Sequence, residues 1–519
     1  MTARRRAGLL IPLFAFPRST SWGIGDIGDI DAMAAWLSAA GQRVLQLLPL
    51  NEMARGQQSP YSAMSAMAID PIYIDVSQID HFAAAGGEAA LSPDDRLRLS
   101  QVREAATVDY STVRDLKDRA CEIAFARFLG EWNSDTTHAR GLRAYINTES
   151  WWLDDYALYR ALHDHQGHRP WTEWSREWQE RDVGALAEAR RMLERDILFA
   201  QYRQWIADAQ WHIARQRAHA HNVTLLGDLP FMVDGDSADV WAHQDQFRLD
   251  RSVGVPPDAF SATGQDWGMP AYRWDAIAAQ DFGWLRQRAR RSAALFDGYR
   301  VDHLVGFYRT YSRPRAGGEP TFEPAEESAQ LRLGECNMAV FRESGAEIIA
   351  EDLGVVPDFV RQSLTRLQAP GFKIFRWERE WEREGQPFRD PAGYPVVSVA
   401  ASGTHDTEPM RTWWEQASDQ ERRAIAEVCR VARLDASNAA FTPDVRDALL
   451  EMLFASRSEL LLLPIQDVFG WSDRINVPGT VTPHNWSFRL PWPVDRLEEE
   501  PSARERRHAL RDWTKRYDR

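Results

Sequence analysis

The chain has 519 residues and a formal net charge of −14; 44% of its residues are hydrophobic and 27% are charged. These proportions are those of a globular protein, no run of about 18 apolar residues is present to span a bilayer, and the acidic balance argues against nucleic acids and anionic membranes as partners. The cysteines are Cys121, Cys336 and Cys429, and their wide spacing and odd number indicate neither a disulfide framework nor a zinc site.

The N-terminal segment MTARRRAGLLIPLFAFPRS combines a basic start with a short apolar run, which superficially resembles a secretory signal. It lacks a small-residue cleavage site, and the apolar run is better explained as a first β-strand leading into the glycine-rich SWGIGDIGD turn. The cytoplasm is therefore the expected location.

Short apolar runs bounded by polar residues, glycine or proline predict eight β-strands. Helical patterns separate many of these runs, which is the alternation of a parallel sheet. Because a (β/α)8 TIM barrel needs about 250 residues, we expect one catalytic barrel unit over 1–519, enlarged by insertions. The predicted strands cover residues 9–14, 43–47, 224–229, 299–302, 347–351, 372–375, 396–400 and 460–465.

Two intervals are too long for simple crossover connections. The first, between the second and third strands, is predicted to hold a mostly helical inserted subdomain at 76–218. The second, at 234–272, contains VGVPPDAFSATGQDWGMP and is predicted to be an irregular substrate loop. The C-terminus has the pattern of a charged helix, so no C-terminal β-domain is expected.

Four of the predicted strands end on or run into an acidic residue: Asp228, Asp302, Glu351 and Asp406. In a parallel barrel the carboxyl ends of all strands open onto one face. Side chains that are far apart in sequence therefore converge there, and converging carboxylates indicate glycoside chemistry. Taken singly, each acid is more often a helix N-cap or a solvated turn residue, and Asp228 keeps that alternative.

Retaining cleavage of a glycosidic bond needs a carboxylate nucleophile and a protonated carboxyl group as general acid. Asp302 follows Arg300 by two residues, and a nearby guanidinium would keep the pKa of a nucleophile low. Glu351 follows the apolar run EIIA and precedes Asp352, a setting that would raise the pKa of a general acid.

Asp406 follows His405 and is expected to bind two sugar hydroxyls. This binding should become stronger as the ring distorts in the transition state. His303 and His405 are then hydroxyl-binding groups and not bases. A metal site is disfavoured because the chain has no HExxH, CxxC or EF-hand pattern. GIGDIGD lacks the dinucleotide-binding spacing and a Walker lysine, so no cofactor is predicted.

The chain carries further motifs along most of its length, including LQLLPLN, QQSPYSAMSAMAIDPIYID, GDLPFMVDGDSADVWAH, YRVDHLVGF, AEDLG, PGFKIFRW, GTHDTEP and RINVPGTVTPHNWSFR. Together they resemble the 4-α-glucanotransferases called amylomaltases or disproportionating enzymes, of glycoside hydrolase family 77. The resemblance implies a (β/α)8 barrel with insertions and transfer of α-1,4-glucan segments to glucose, maltose or longer acceptors.

The resemblance also implies roles for individual residues. Asp302 matches the family's nucleophile, Glu351 its acid/base and Asp406 its transition-state stabiliser. The positions that match substrate contacts are Arg300, His303, His405, Asp228, Asp258, Gln265, Trp267, Ser59 and Tyr61.

Two departures from the family pattern affect the surroundings of the site. Thr407 and Glu408 replace the usual Asn-Asp after Asp406, and Ala259 replaces a frequent aromatic residue. An α-amylase-type hydrolase would share the carboxylates and is the nearest alternative. A catalytically silent glucan-binding protein is the alternative from another class.

Overall fold

The computed structural model describes residues 5–257, 264–432 and 434–519. Their strands are β1 (Arg6–Leu10), β2 (Val44–Gln46), β3 (Thr224–Leu229), β4 (Phe247–Val255), β5 (Gln265–Tyr272), β6 (Gly298–Val301), β7 (Thr310–Pro314), β8 (Thr321–Glu323), β9 (Glu347–Ala350), β10 (Gly371–Ile374), β11 (Ser398–Ala401) and β12 (Leu460–Pro464).

The α-helices of the same residues are α1 (Ile30–Ala39), α2 (Asp80–Ala84), α3 (Pro93–Glu104), α4 (Tyr110–Leu129), α5 (Thr137–His165), α6 (Arg176–Gln179), α7 (Val183–Met192), α8 (Glu194–Ala220), α9 (Ala238–Ala242), α10 (Trp274–Ala279), α11 (Gly283–Leu295), α12 (Glu327–Glu343), α13 (Asp358–Arg366), α14 (Met410–Gln416), α15 (Asp419–Val428), α16 (Pro443–Phe454), α17 (Ile465–Phe469) and α18 (Pro501–Arg516). None of these helices is both long and apolar enough to cross a membrane.

Eight parallel strands form a closed barrel in the order β1-β12-β11-β10-β9-β6-β3-β2. The barrel closes because β1 pairs with both β2 and β12. The interior is filled by apolar side chains, as expected for strands that are buried on both faces. Val44, Leu226, Ile349, Val399 and Leu462 belong to this inner cluster, and each is at most 1% exposed. The predicted (β/α)8 fold is confirmed.

Each predicted barrel strand corresponds to an observed one; the third has the predicted bounds, and the other seven have shifted ends. The largest shift is at the first strand, predicted at 9–14 and observed at Arg6–Leu10. Pro12 explains the difference: proline has no N–H to donate to a ladder, and the chain turns after it into a short 3₁₀ helix over Leu13–Ala15.

The interval between β2 and β3 holds α2 to α8. The two longest helices, α5 and α8, pack against each other, and α8 also packs against α1 and β3. The helical character predicted for 76–218 is thus present, and α8 packs both on another helix of the insertion and on the barrel.

The prediction of an irregular loop at 234–272 is wrong for most of its described part. The strands β4 and β5 lie there and pair antiparallel in a four-stranded sheet of order β5-β4-β7-β8. The strand β7, which pairs with β4, lies after β6 in the chain, so the sheet depends on contacts between residues that are far apart in sequence. Residues 258–263, with the predicted site residue Asp258 and the departure Ala259, lie outside the described residues.

The chain after β12 ends in α17 and α18, and the described residues 465–519 contain no further strand. Within residues 465–519 no β-domain is present, as the sequence predicts. The C-terminal helix α18 packs against α1, α16 and α17, which closes the barrel's outer layer next to β1.

Gly334 of α12 allows close packing on a buried tyrosine. A Cβ atom at Gly334 would lie 2.0 Å from Cδ1 of Tyr308, whose hydroxyl is held 3.0 Å from Oγ of Ser363. We expect Gly334→Ala to lower the free energy of unfolding by about 1–3 kcal/mol, the cost of overpacking a core, in denaturant titrations. Gly283→Ala in α11 is the matched control because nothing lies within 4 Å of its Cβ position. Equal stability of the two variants would contradict this account.

Candidate active site

The four acids of the predicted site lie at the carboxyl ends of four barrel strands, of which β3, β6 and β9 are neighbours. Asp228 belongs to β3, Asp302 follows β6 directly, Glu351 follows β9 directly, and Asp406 lies five residues after the end of β11. Because the strands are parallel, these ends share one face of the barrel.

Arg300 of β6 joins two of these acids. Its Nη1 atom lies 2.8 and 2.6 Å from the two carboxylate oxygens of Asp228, and its Nη2 atom lies 2.8 Å from Oδ1 of Asp302. Burial lowers the pKa of Arg300, but the carboxylates of Asp228 and Asp302 raise it well above its usual value. The guanidinium therefore stays charged and fixes Asp302 relative to β3.

Tyr61 connects the Asp228 side of the site to His405. The Tyr61 hydroxyl donates to Oδ2 of Asp228 at 2.8 Å and lies 3.0 Å from Nε2 of His405. The two rings stack with centroids 5.3 Å apart. Burial raises the pKa of Tyr61 well above its usual value, so this hydroxyl stays neutral. Ser59 contributes through its Oγ atom, which accepts from the Tyr61 backbone N–H at 3.4 Å.

Glu351 is held by the backbone of the loop after β6. Its Oε2 atom accepts from the His303 N–H at 2.8 Å, and its Oε1 atom accepts from the Leu353 N–H at 3.3 Å. Burial raises the pKa of Glu351 to about 7, with additional repulsion from Asp302 and Asp352 and opposition from Arg300. This carboxyl can therefore donate and recover a proton near neutral pH.

Asp352 is bound by residues of β10 and α13. Its Oδ1 atom accepts from the Phe372 N–H at 2.8 Å, and its Oδ2 atom lies 3.3 Å from Nη1 of Arg361. It therefore ties the end of β9 to β10 and α13.

Asp406 is held as an anion. Nδ2 of Asn476 donates to its Oδ1 atom at 2.7 Å, and Nε2 of His405 lies 3.3 Å from its Oδ2 atom. Burial would raise the pKa of Asp406, but His405 and Asn476 outweigh burial and lower it to about 2. Burial likewise opposes charge on His405, yet Asp406 raises the pKa of that imidazole.

Sequence reasoning did not assign the partners of Asp406. Asn476 contacts its carboxylate, and Nη2 of Arg474 donates to its carbonyl oxygen at 2.6 Å. Both residues belong to the motif RINVPGT. Polar residues after the last barrel strand were the available signal, but their partner lies about 70 residues away in the chain.

The inserted antiparallel sheet supplies two of the predicted substrate contacts. The ring of Trp267 in β5 meets that of His303 edge-to-face with centroids 4.9 Å apart. The Trp267 indole N–H donates to Oε1 of Gln265 at 3.3 Å. Burial lowers the pKa of His303 to about 4, so its imidazole is neutral and offers one donor and one acceptor.

The departures beside Asp406 are held by local contacts. Oγ1 of Thr407 accepts from the Thr404 N–H at 3.0 Å and donates to the Thr404 carbonyl at 3.1 Å. Glu408 pairs with Arg376, from which one nitrogen reaches Oε1 and another reaches the Glu408 carbonyl, each at 2.8 Å. The Glu408 charge is thereby paired with a guanidinium from the segment after β10.

Comparison of the sequence with protein families identifies the family to which the chain belongs. The sequence profile of glycoside hydrolase family 77, described as 4-alpha-glucanotransferase, matches residues 11–495. The chain belongs to this family.

Individual relatives agree with the family assignment. A 4-alpha-glucanotransferase of Thermus thermophilus is 31% identical over 513 residues, covering 94% of this chain and 95% of the relative. The chloroplastic/amyloplastic 4-alpha-glucanotransferase of Solanum tuberosum is 30% identical over 517 residues, covering 94% and 82%. The solved amylomaltase of Streptococcus agalactiae in complex with acarbose superposes with a TM-score of 0.84 at 27% identity, covering 99% of this chain and all of that one.

The pKa of Glu351 predicts the pH profile of this family 77 member. If Glu351 must be protonated to start the reaction, kcat/KM for glucan transfer is full well below pH 7 and falls as the pH rises through about 7. Because Asp352 raises the pKa of Glu351, Asp352→Asn is expected to move this alkaline limb to lower pH. Asp281→Asn, at a side chain that is 90% exposed, is the control. An alkaline limb that is unmoved in Asp352→Asn would remove Asp352 from the causes of the raised pKa, and the absence of an alkaline limb near pH 7 in the native protein would exclude this role for Glu351.

Proposed function

We propose that the chain is a 4-α-glucanotransferase that acts by retaining double displacement through a glucosyl ester of Asp302. The observation that carries this proposal is the hydrogen bond that the His303 backbone N–H donates to the Glu351 carboxylate. The preceding residue, Asp302, forms an ion pair with Arg300. A carboxyl whose pKa is about 7 is thereby held beside a carboxylate bound to a buried cation. These are the two groups that a retaining glycoside reaction requires.

In the first half-reaction, Glu351 protonates the oxygen of an α-1,4 bond while a carboxylate oxygen of Asp302 attacks the anomeric carbon. The bond to the leaving sugar breaks, that sugar departs with a free 4-hydroxyl, and the donor remains as an ester on Asp302. In the second half, the ionised Glu351 takes the proton from the 4-hydroxyl of an acceptor. The acceptor oxygen then attacks the anomeric carbon, restores an α-1,4 bond and frees Asp302.

Positive charge develops on the sugar ring between these states. Asp406 carries a negative charge because its pKa is about 2, and it is expected to bind ring hydroxyls as the ring distorts. Arg300 and Tyr61 both bind Asp228, and Tyr61 also contacts His405. These residues therefore form a fixed surface whose dipoles need little rearrangement during the reaction.

Transfer requires that a sugar acceptor reaches the ester before water does. Trp267 packs on His303 beside the acid/base, and we propose that it is part of the acceptor side, with Gln265. A flat aromatic surface binds the apolar face of a sugar ring and excludes solvent there. The substrates proposed are neutral α-1,4-glucans as donors, with glucose, maltose or longer chains as acceptors.

The cytoplasm is the proposed location, because part of the apolar run of the N-terminal segment is built into the barrel. The apolar run of that segment forms β1, whose residues pair with β2 and β12 inside the barrel. Recovery of the enzyme in a secreted or periplasmic fraction would refute this assignment.

Incubation with maltotriose separates a transferase from an α-amylase-type hydrolase. We expect glucose and longer maltooligosaccharides to appear while the total number of reducing ends stays constant, because each cleaved bond is replaced by a new one. Reducing-end assay and chromatography of the same samples give both quantities. A reducing-end total that rises in step with substrate loss would favour the hydrolase, and absence of any product would favour a glucan-binding protein.

Asp302→Asn tests the nucleophile separately from binding. We expect turnover of maltotriose to fall by at least about 10⁴-fold, since an amide cannot form the ester, while maltooligosaccharide binding by calorimetry changes little. Asp281→Asn should retain native activity, because its side chain is exposed outside the barrel face. Near-native turnover by a pure Asp302→Asn sample would remove Asp302 from the role of nucleophile.

A further inference from the structure

A cluster of possible metal ligands lies in the helical segment between β2 and β3, outside the catalytic residues described above. It consists of His81 on α2, Glu131 in the turn after α4 and His138 on α5, each offering one ligand atom, and these atoms all lie within 4.8 Å of one another. Nε2 of His81 lies 2.5 Å from Oε1 of Glu131, and Nδ1 of His138 lies 3.2 Å from the same oxygen.

We propose that His81 Nε2, Glu131 Oε1 and His138 Nδ1 bind one divalent transition-metal ion of the zinc class. Two imidazoles and one carboxylate are a donor set that suits Zn²⁺ in tetrahedral sites that keep one open position. Solvent can reach that position because the His138 side chain is 38% exposed and Glu131 is 26% exposed.

The spacing of the donor atoms suits such an ion. Ligand bonds of 2.0–2.2 Å in a tetrahedron place neighbouring donor atoms about 3.3 Å apart, and the His138–Glu131 separation of 3.2 Å already matches. His81 and Glu131 share a hydrogen bond at 2.5 Å, so they must part by less than about 1 Å when the ion replaces the shared proton. Glu131 can make this movement because it lies in a turn between two helices.

Each histidine also has a partner for its second ring nitrogen. Nδ1 of His81 lies 3.2 Å from the hydroxyl of the buried Tyr202, and Nε2 of His138 lies 3.5 Å from Oδ2 of Asp80. Metal-binding histidines commonly use the other nitrogen in this way, which fixes the tautomer and the orientation of the ring. Tyr202 and Asp80 are therefore positioning residues for the proposed site.

The local charges favour a cation. In the described part of the chain, the ion pairs of Glu131 and Asp80 are formed only with histidines. A second cluster, His163, Asp164 and His168, differs in this respect. Its Asp164 is bound by Nη1 of Arg160 at 3.0 Å, and that guanidinium already occupies the carboxylate that an ion would need.

The experiment uses the full chain after treatment with a chelator. We expect equilibrium dialysis to give one Zn²⁺ per chain, and titration with Co²⁺ to give the intense visible absorption of a tetrahedral site, which Zn²⁺ then abolishes by competition. His138→Ala and Glu131→Gln should each remove this absorption. Tyr202→Phe should weaken Zn²⁺ binding by about 10–100-fold, the usual effect of losing a partner of a metal-bound histidine.

Two further variants serve as controls. His508→Ala removes a histidine of α18, far along the chain, and His168→Ala removes a member of the second cluster; both should bind Zn²⁺ like the native chain. Circular dichroism and maltotriose turnover check that every variant is folded. A native chain that takes up no Zn²⁺, binding that survives both His138→Ala and Glu131→Gln, or binding lost only in His168→Ala would overturn the proposal.

A measurement on the native chain covers the case in which a substitution disturbs folding. Diethylpyrocarbonate modifies free imidazoles, and mass spectrometry locates the modified residues. Zn²⁺ should protect His138 from modification while His508 stays reactive. Equal modification of His138 with and without Zn²⁺ would likewise overturn the proposal.

Discussion

The active site depends on the burial of one guanidinium. Arg300 is 5% exposed, and removing a charge of this kind from water costs several kcal/mol unless it is paired. Its partners are Asp228 and Asp302, which come from neighbouring strands. The need to pair this cation therefore fixes where the two carboxylates lie, and through Tyr61 it also fixes His405.

The same barrel end holds two carboxyls in opposite states. Glu351 has a pKa near 7 because burial and neighbouring acids disfavour its charge. Asp406 has a pKa near 2 because an imidazole and an amide stabilise its charge against the effect of burial. Different hydrogen-bond partners thus leave one carboxyl able to carry a proton near neutral pH and keep the other ionised, at the same end of the barrel.

The sequence was sufficient for the barrel and for the position of the acids, because both leave local patterns. An apolar run that ends on Asp302 or Glu351 can be recognised without knowing which distant residues it contacts. The antiparallel sheet was not predicted, because β4 pairs with β7, which follows the next barrel strand, β6, in the chain. The contact of Asn476 with Asp406 and the pairing of Glu408 with Arg376 are likewise set by the folded chain. The assigned roles of Asp302, Glu351 and Asp406 stay predictions until they are tested.

Glu351 is fastened to the segment after Asp302 at two points: its side chain accepts from the His303 N–H, and its carbonyl accepts from the Leu304 N–H at 3.2 Å. His303 adopts a left-handed backbone conformation with φ of 42°, which only surrounding contacts can maintain. The position of Glu351 relative to the segment after Asp302 is consequently set by main-chain hydrogen bonds, and the Asp302 carboxylate is held in turn by Arg300. In the proposed reaction, the sugar's anomeric carbon moves from the glycosidic oxygen towards Asp302, while these contacts hold the two carboxyls in place.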